Sequence, residues 1–209
     1  MRNDIARIIA FFCVLSVSCH AAMITFDDIV SGVTTYTYDG DADGTNDVLF
    51  STTDSSGFNS IGPGLSMNFI NEPGIEGTSQ LGVDLRADFL FGATVSIRFG
   101  FALSTPFDTF GATFELYDGD DNMIASKFQL ATYQSAPVVS TAPEAILDLA
   151  FSGVASYGLF KFDAEPGRFI VDNFEGAFGS SEVVPEPASL MLLGFSGVAV
   201  AFVRRRLKR

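Results

Sequence analysis

The chain is 209 residues long, with 25 acidic against 12 basic side chains, a formal net charge of −13, no Trp and 22 Phe. Cys13, Cys19 and His20, its only cysteines and histidine, all precede Ala21, so the rest of the chain has no thiol and no imidazole. That excludes a Ser–His or Cys–His nucleophile and a His or Cys zinc site there. Residues 22–183 hold 23 acids against five bases, a net −18 that disfavours nucleic acid and anionic membrane surfaces as partners and favours divalent cations.

At the N-terminus, Arg2 and Arg7 precede an apolar run over residues 8–17, and Cys19 and Ala21 occupy the −3 and −1 positions of a cleavage site after Ala21. Charged, apolar, then small is the order of a secretory signal peptide, and the run is too short to span a bilayer. Residues 1–21 are expected to be a removed leader, 22–179 the folded domain, and 180–209 a linker with a terminal sorting signal.

Strand signals dominate the middle. Short candidates lie at 23–27, 33–38, 47–51 and 65–70. Leu81, Val83, Leu85, Ala87 and Phe89 alternate with Asp84, Arg86 and Asp88, and a second run sets Val95, Ile97, Phe99, Phe101 and Leu103 against Thr94, Ser96 and Arg98. Alternation at this period marks half-buried strands. Segments 109–117 and 123–130 read as a hairpin closed by Asp118-Gly119-Asp120-Asp121-Asn122, and a second hairpin turns at Glu165-Pro166-Gly167. Residues 142–151 fit either a short helical turn or a strand. Short strands between Gly, Pro and Asp clusters predict an all-β fold: a two-layer antiparallel β-sandwich, jelly-roll-like, with most of the 18 Phe of this region in its core.

Acid spacing gives candidate cation sites. Asp39, Asp41, Asp43, Thr45 and Asp47, with Gly44 at the turn, form D-x-D-x-D-G-x-x-D, in which alternate carboxylates of a tight loop converge on one point. An EF-hand needs a bidentate Glu at the twelfth position, where Phe50 stands, so the loop resembles the EF-hand-like calcium loops of secreted β proteins. The expected calcium is structural, offsetting repulsion among the carboxylates. Asp118, Asp120 and Asp121 are accounted for by turn chemistry. Asp27 and Asp28, ending the first strand, and Asp172, in the last, form a second candidate calcium site. It is similar to the ion shared by terminal strands in jelly-roll carbohydrate-binding modules.

The C-terminal segment runs Val184-Pro185-Glu186-Pro187, then an uncharged apolar stretch over 188–203, then Arg204, Arg205, Arg206, Lys208 and Arg209. As a helix the apolar stretch rises ~24 Å, enough to span a bilayer with its flanks, and the basic tail belongs on the cytoplasmic side. In order and position this resembles the PEP-CTERM sorting domain of Gram-negative bacteria. The resemblance implies tethering in the inner membrane by the export machinery, recognition and cleavage near Pro185–Pro187 by an exosortase, and final location at the cell surface or outside.

It also implies a structural or adhesive role linked to exopolysaccharide or biofilm. The alternative is a calcium-dependent carbohydrate-binding module using Tyr36, Tyr38, Tyr117, Tyr133 or Tyr157 against extracellular polysaccharide. A glycosidase would need two facing carboxylates, and no pair is singled out by the sequence, so no enzymatic activity is expected.

Overall fold

A computed structural model describes residues 21–40, 43–59, 67–71, 73–77, 85–105, 108–134, 142–163 and 169–178, all within the unit Cys19–Ser180. The expected leader, the turn at Pro166, Asp41 and the apolar segment 188–203 lie outside the described residues.

Among the described residues there are eleven strands and no helix: β1 (Ala22–Ile24), β2 (Thr35–Tyr38), β3 (Val48–Thr52), β4 (Phe58–Asn59), β5 (Ile75–Gly77), β6 (Leu85–Leu103), β7 (Gly111–Tyr117), β8 (Met123–Leu130), β9 (Glu144–Ala150), β10 (Ala155–Phe162) and β11 (Phe169–Phe178). All named pairings are antiparallel.

The 19-residue β6 organises the fold. Its first part pairs with β3 (Val48↔Phe89 through Thr52↔Leu85) and with β10, which passes on to β7 and β8. Its second part pairs with β9 (Ser96↔Ala150 through Ala102↔Glu144) and with β11, whose other edge takes β1 and β5. Between these parts the strand turns at Gly92, φ +82°, and Val95, φ +71°. One strand thus serves both layers of a sandwich, a corner that a continuous flat strand could not make.

Phenylalanines fill the space between the layers. Phe99 of the second layer meets Phe160 and Phe114 of the first at 4.9 and 5.2 Å between ring centroids. Phe174 meets Phe50 edge-on at 5.1 Å, with Phe160 at 6.1 Å. Each such ring removed from water is worth ~1.5–3 kcal/mol before packing geometry adds to it.

Two strand expectations need correction. Val95 was expected inside with Ile97 and Phe99, but it is 64 % exposed because the turn shifts the alternation there. The expected strand at 65–70 is, over its described residues 67–70, an irregular segment covering the outer side of the second layer. Ile70 packs there with Ala102, Ala142 and Ile170. Gly100 makes this possible: a Cβ on it would lie 2.2 Å from the Phe69 carbonyl oxygen. Residues 142–151 resolve in favour of a strand, β9.

Candidate functional site

Three of the expected site acids, Asp27, Asp28 and Asp39, line one groove where β1 ends. After Ile24 the chain reverses at Phe26, whose φ of +57° is left-handed; its buried ring lies edge-on to Tyr36 and Phe50 at 5.3 and 5.0 Å. That reversal exposes Asp27 and Asp28 at the wall of a groove of about 400 Å³, with Tyr36, Tyr38 and Asp39 opposite. Tyr36 donates its hydroxyl hydrogen to Asp28 Oδ1 at 2.7 Å, and Thr25 donates to Asp27 Oδ2 at 2.7 Å. Burial, with Asp28 as acceptor, pushes the Tyr36 hydroxyl well above its usual range, so it remains a neutral donor. The groove therefore offers carboxylate acceptors and aromatic edges, the equipment for hydroxyl-rich ligands or a cation.

In the Asp39–Asp47 loop, the described carboxylates face its own backbone. Asp39 Oδ2 accepts from Gly44 N–H at 2.8 Å, Asp43 Oδ1 from Thr45 N–H at 2.6 Å, and Asp47 Oδ2 from Gly40 N–H at 2.7 Å. Gly44 takes φ +88°, the conformation expected of a sharp turn. Asp39 Oδ1 is buried without a protein partner. Among the described residues, no three His, Cys, Asp or Glu side chains form a metal-holding group.

The second expected trio is split. Asp172 is 1 % exposed; its Oδ2 accepts from Asn71 N–H at 2.8 Å, and its Oδ1 has no protein partner. Burial pushes its carboxyl up to about 6, against the pull of the Asn71 and Asn173 N–H groups, and the charge of Asp27 adds to the rise. β1 pairs with β11 over Phe174–Gly176, and β5 pairs with it over Ile170–Val171. Asp172 lies between those two pairings, and Asp27 is close enough to act on it. Asp28 is committed instead to Tyr36.

A third arrangement joins two of the tyrosines named from sequence, Tyr117 and Tyr157, in a pairing the sequence did not show, on the outer face of the first layer. Tyr157 of β10 is directly opposite Tyr117 of β7, and their rings stack at 4.9 Å with 7° between planes. The Arg86 guanidinium lies 3.9 Å from the Tyr157 ring centre and donates to Asp88 at 2.8 Å. Tyr117 donates to Glu115 at 2.7 Å, Lys161 donates to Glu115 at 2.7 Å, and Tyr157 donates to Asp121 at 2.9 Å. Burial alone would raise Glu115, but the Lys161 and Tyr117 hydrogen bonds hold it below the usual carboxylate range. The only sequence signal was a Tyr at the exit of one strand and the entry of another, with no register to join them. Asp118 closes the adjoining turn by accepting from the Asp120 and Asn122 N–H groups at 2.9 Å each, as turn chemistry predicts.

Taken together, the described chain is an antiparallel all-β domain with polar aromatic surfaces. Residues 183–206 match the family model of the PEP-CTERM protein-sorting motif, a span that includes Val184, Pro185, Glu186, Pro187, Arg204, Arg205 and Arg206. No match was found among curated proteins. Among solved structures, the chain is similar to the K2 cleaved adhesin domain of Lys-gingipain (13 % identity, TM-score 0.41, covering 76 % of this chain and 98 % of that one). It is also similar to a point variant of a family 29 carbohydrate-binding module (11 %, TM-score 0.38, 80 % and 99 %). A third is the enzymatically active domain of bacteriophage CBA120 tailspike protein 4 (13 %, TM-score 0.35, 78 % and 20 %).

Proposed function

We propose that this is an exosortase-sorted protein of a Gram-negative bacterium. A leader over 1–21 exports it, and a helix over 188–203 holds it in the inner membrane until cleavage near Pro185–Pro187. The jelly-roll-like domain then serves at the surface or in the matrix as a structural or adhesive component linked to exopolysaccharide. The PEP-CTERM motif at residues 183–206 carries this reading. Intact-mass measurement of the protein from its native host tests it: a C-terminus near Pro185 is expected, and a complete tail in the surface fraction refutes sorting by cleavage.

A second reading, calcium-dependent glycan binding, is favoured by the Tyr117–Tyr157–Arg86 ladder and by the Tyr36–Asp28 groove, which set planar groups beside fixed acceptors. Aromatic faces and edges with oriented polar groups are what sugar rings stack and hydrogen-bond against. Calcium would occupy the Asp27–Asp172 position or the Asp39–Asp47 loop. The unpartnered Oδ1 of Asp172 and of Asp39 support that assignment. Retention on the host's own polysaccharide, with and without calcium, tests this reading; no retention in either condition removes it.

A further inference from the structure

The end of the sandwich at which β6 changes layers is apolar and has no role in the groove or the tyrosine ladder. Leu90, Phe91 and Val95 are 50, 48 and 64 % exposed there. The β9–β10 connection brings Val154, 56 % exposed, against Gly92, where an added Cβ would lie 2.4 Å from its Cγ1. The same connection is tied down by Phe151 N–H donating to the Val95 carbonyl at 2.9 Å. Val95 holds its exposed position in a left-handed backbone, φ +71°, which a β-branched side chain strongly disfavours. Exposed apolar groups gathered on a strained, fixed frame mark a contact surface.

The chain's course indicates what that surface meets. Ala22, the first residue of β1, pairs with Gly176, and Phe178, the last of β11, pairs with Ala93 inside the turn. Both directions of the chain therefore leave the domain at this end. Only residues 179–187 separate Phe178 from the apolar run beginning at Ala188, and fully extended they reach ~30 Å. The rim is acidic: Leu90 N–H donates to the Asp47 carbonyl at 2.8 Å, which places the Asp39–Asp47 loop beside the patch, and the acidic turn after Tyr117 lies at the same end.

The geometry points to a bilayer contact, resting on the tethered state proposed above: Phe91, Val95 and Val154 sit in the headgroup boundary of the membrane that holds the tail. The acidic rim weakens the contact as the share of anionic lipid rises. A short tether supplies an effective local concentration in the millimolar range, so even a weak patch stays engaged. Cutting the tail removes that concentration and frees the domain, making one cleavage both a sorting step and a release step.

The test uses the full chain, which has no Trp, reconstituted in vesicles of zwitterionic lipid with brominated acyl chains. Phe91→Trp reports the patch; Leu130→Trp, at the far end of β8 where it pairs with Gly111, reports the opposite end. Flotation with the vesicles reads the tether independently. The expected result is flotation of both variants, blue-shifted and bromine-quenched emission at position 91 only, weaker quenching as anionic lipid is added, and loss of it with Val95→Asp plus Val154→Asp. Flotation without quenching at 91, or equal quenching at both positions, overturns the inference while leaving the tether intact. Failure to float overturns both. Shielding from aqueous quencher that grows with protein density, without bromine quenching, assigns the patch to a second copy and overturns the bilayer contact.

Discussion

Replacing Asp172 by Asn tests whether a buried carboxylate is held in the fold at a loss. In the folded protein this carboxyl titrates at about 6 against an ordinary value of 3.8. Between those values the folded state keeps a proton that the unfolded state gives up. Its contribution is intact below ~4, falls as pH rises through ~6, and is lost above that, an interval worth ~3 kcal/mol. Asn can still accept from Asn71 N–H but leaves a buried amide group where Oδ1 now has no partner, returning ~1 kcal/mol. The net expectation at pH 7 in chelator is ~2 kcal/mol of added stability, or ~4–8 °C in Tm for a domain of this size. Melts by circular dichroism should show the variant slightly lower below pH ~4, the two proteins crossing near pH ~4.5, and the variant higher up to pH ~7. A variant that melts lower at neutral pH in chelator, or a gap independent of pH, refutes the argument. Added calcium should raise the wild-type Tm and leave the variant unchanged; an equal rise in both excludes Asp172 as a ligand.

Phe174, fully buried with Phe50, Phe89, Phe99, Phe114, Phe160 and Phe178 around it, should lose ~4 kcal/mol as Phe174→Ala but far less as Phe174→Leu, measured by urea denaturation. Glu144 is 2 % exposed and accepts from Asn68 N–H at 2.9 Å and Phe69 N–H at 2.8 Å. Glu144→Ala orphans those donors and should cost ~3 kcal/mol or more, with hydrogen exchange at both amides accelerating well before global unfolding. Tyr157→Ala should reduce polysaccharide retention with only ~1 kcal/mol of stability lost for the stacked pair, whereas unchanged retention would separate the ladder from glycan binding.

The β7–β8 hairpin was legible but for the first two residues of 109–117, because its information is local: alternation on either side of an Asp-Gly-Asp-Asp-Asn turn. β6 was legible only in part. Two alternating runs announced strands, but their fusion through Gly92 and the outward turn of Val95 depend on which strands pair on either side, at 48–52 and 144–150. Residues 65–70 read as a strand, since Leu65, Met67, Phe69 and Ile70 are apolar, yet the described segment 67–71 forms none. Its hydrogen bonds go instead to carboxylates, Glu144 lying 76 positions from Asn68 and Asp172 lying 101 from Asn71. Asp172 could be grouped from sequence with Asp27 and Asp28, but which of the two acts on it could not be read, because these neighbours in sequence turn to different tasks after the reversal at Phe26.

The acidic composition itself explains why those carboxylates act as they do. With five bases in residues 22–183, few acids can be neutralised by ion pairs. Among the described residues Arg86, Arg98 and Lys161 serve Asp88, Glu175 and Glu115. Buried acids must be offset by N–H donors, and a sandwich with irregular connections has buried N–H groups in need of acceptors, so the two deficits meet. Glu76 takes the Asn59 side chain, and Glu144 takes Asn68 and Phe69. A carboxylate supplied with several N–H bonds has little remaining need of a cation. Asp172 departs from that pattern, with one oxygen bonded, the other orphaned and the group almost wholly buried. Asp39 also has an orphaned buried oxygen, on a residue that lines the groove. If calcium binds as proposed above, Asp172 is therefore a position to test beside the loop whose spacing resembles a calcium motif. Asp172→Asn should abolish calcium-dependent stabilisation at a position where Asp41→Ala leaves it in place, and the reverse outcome would return the site to the loop.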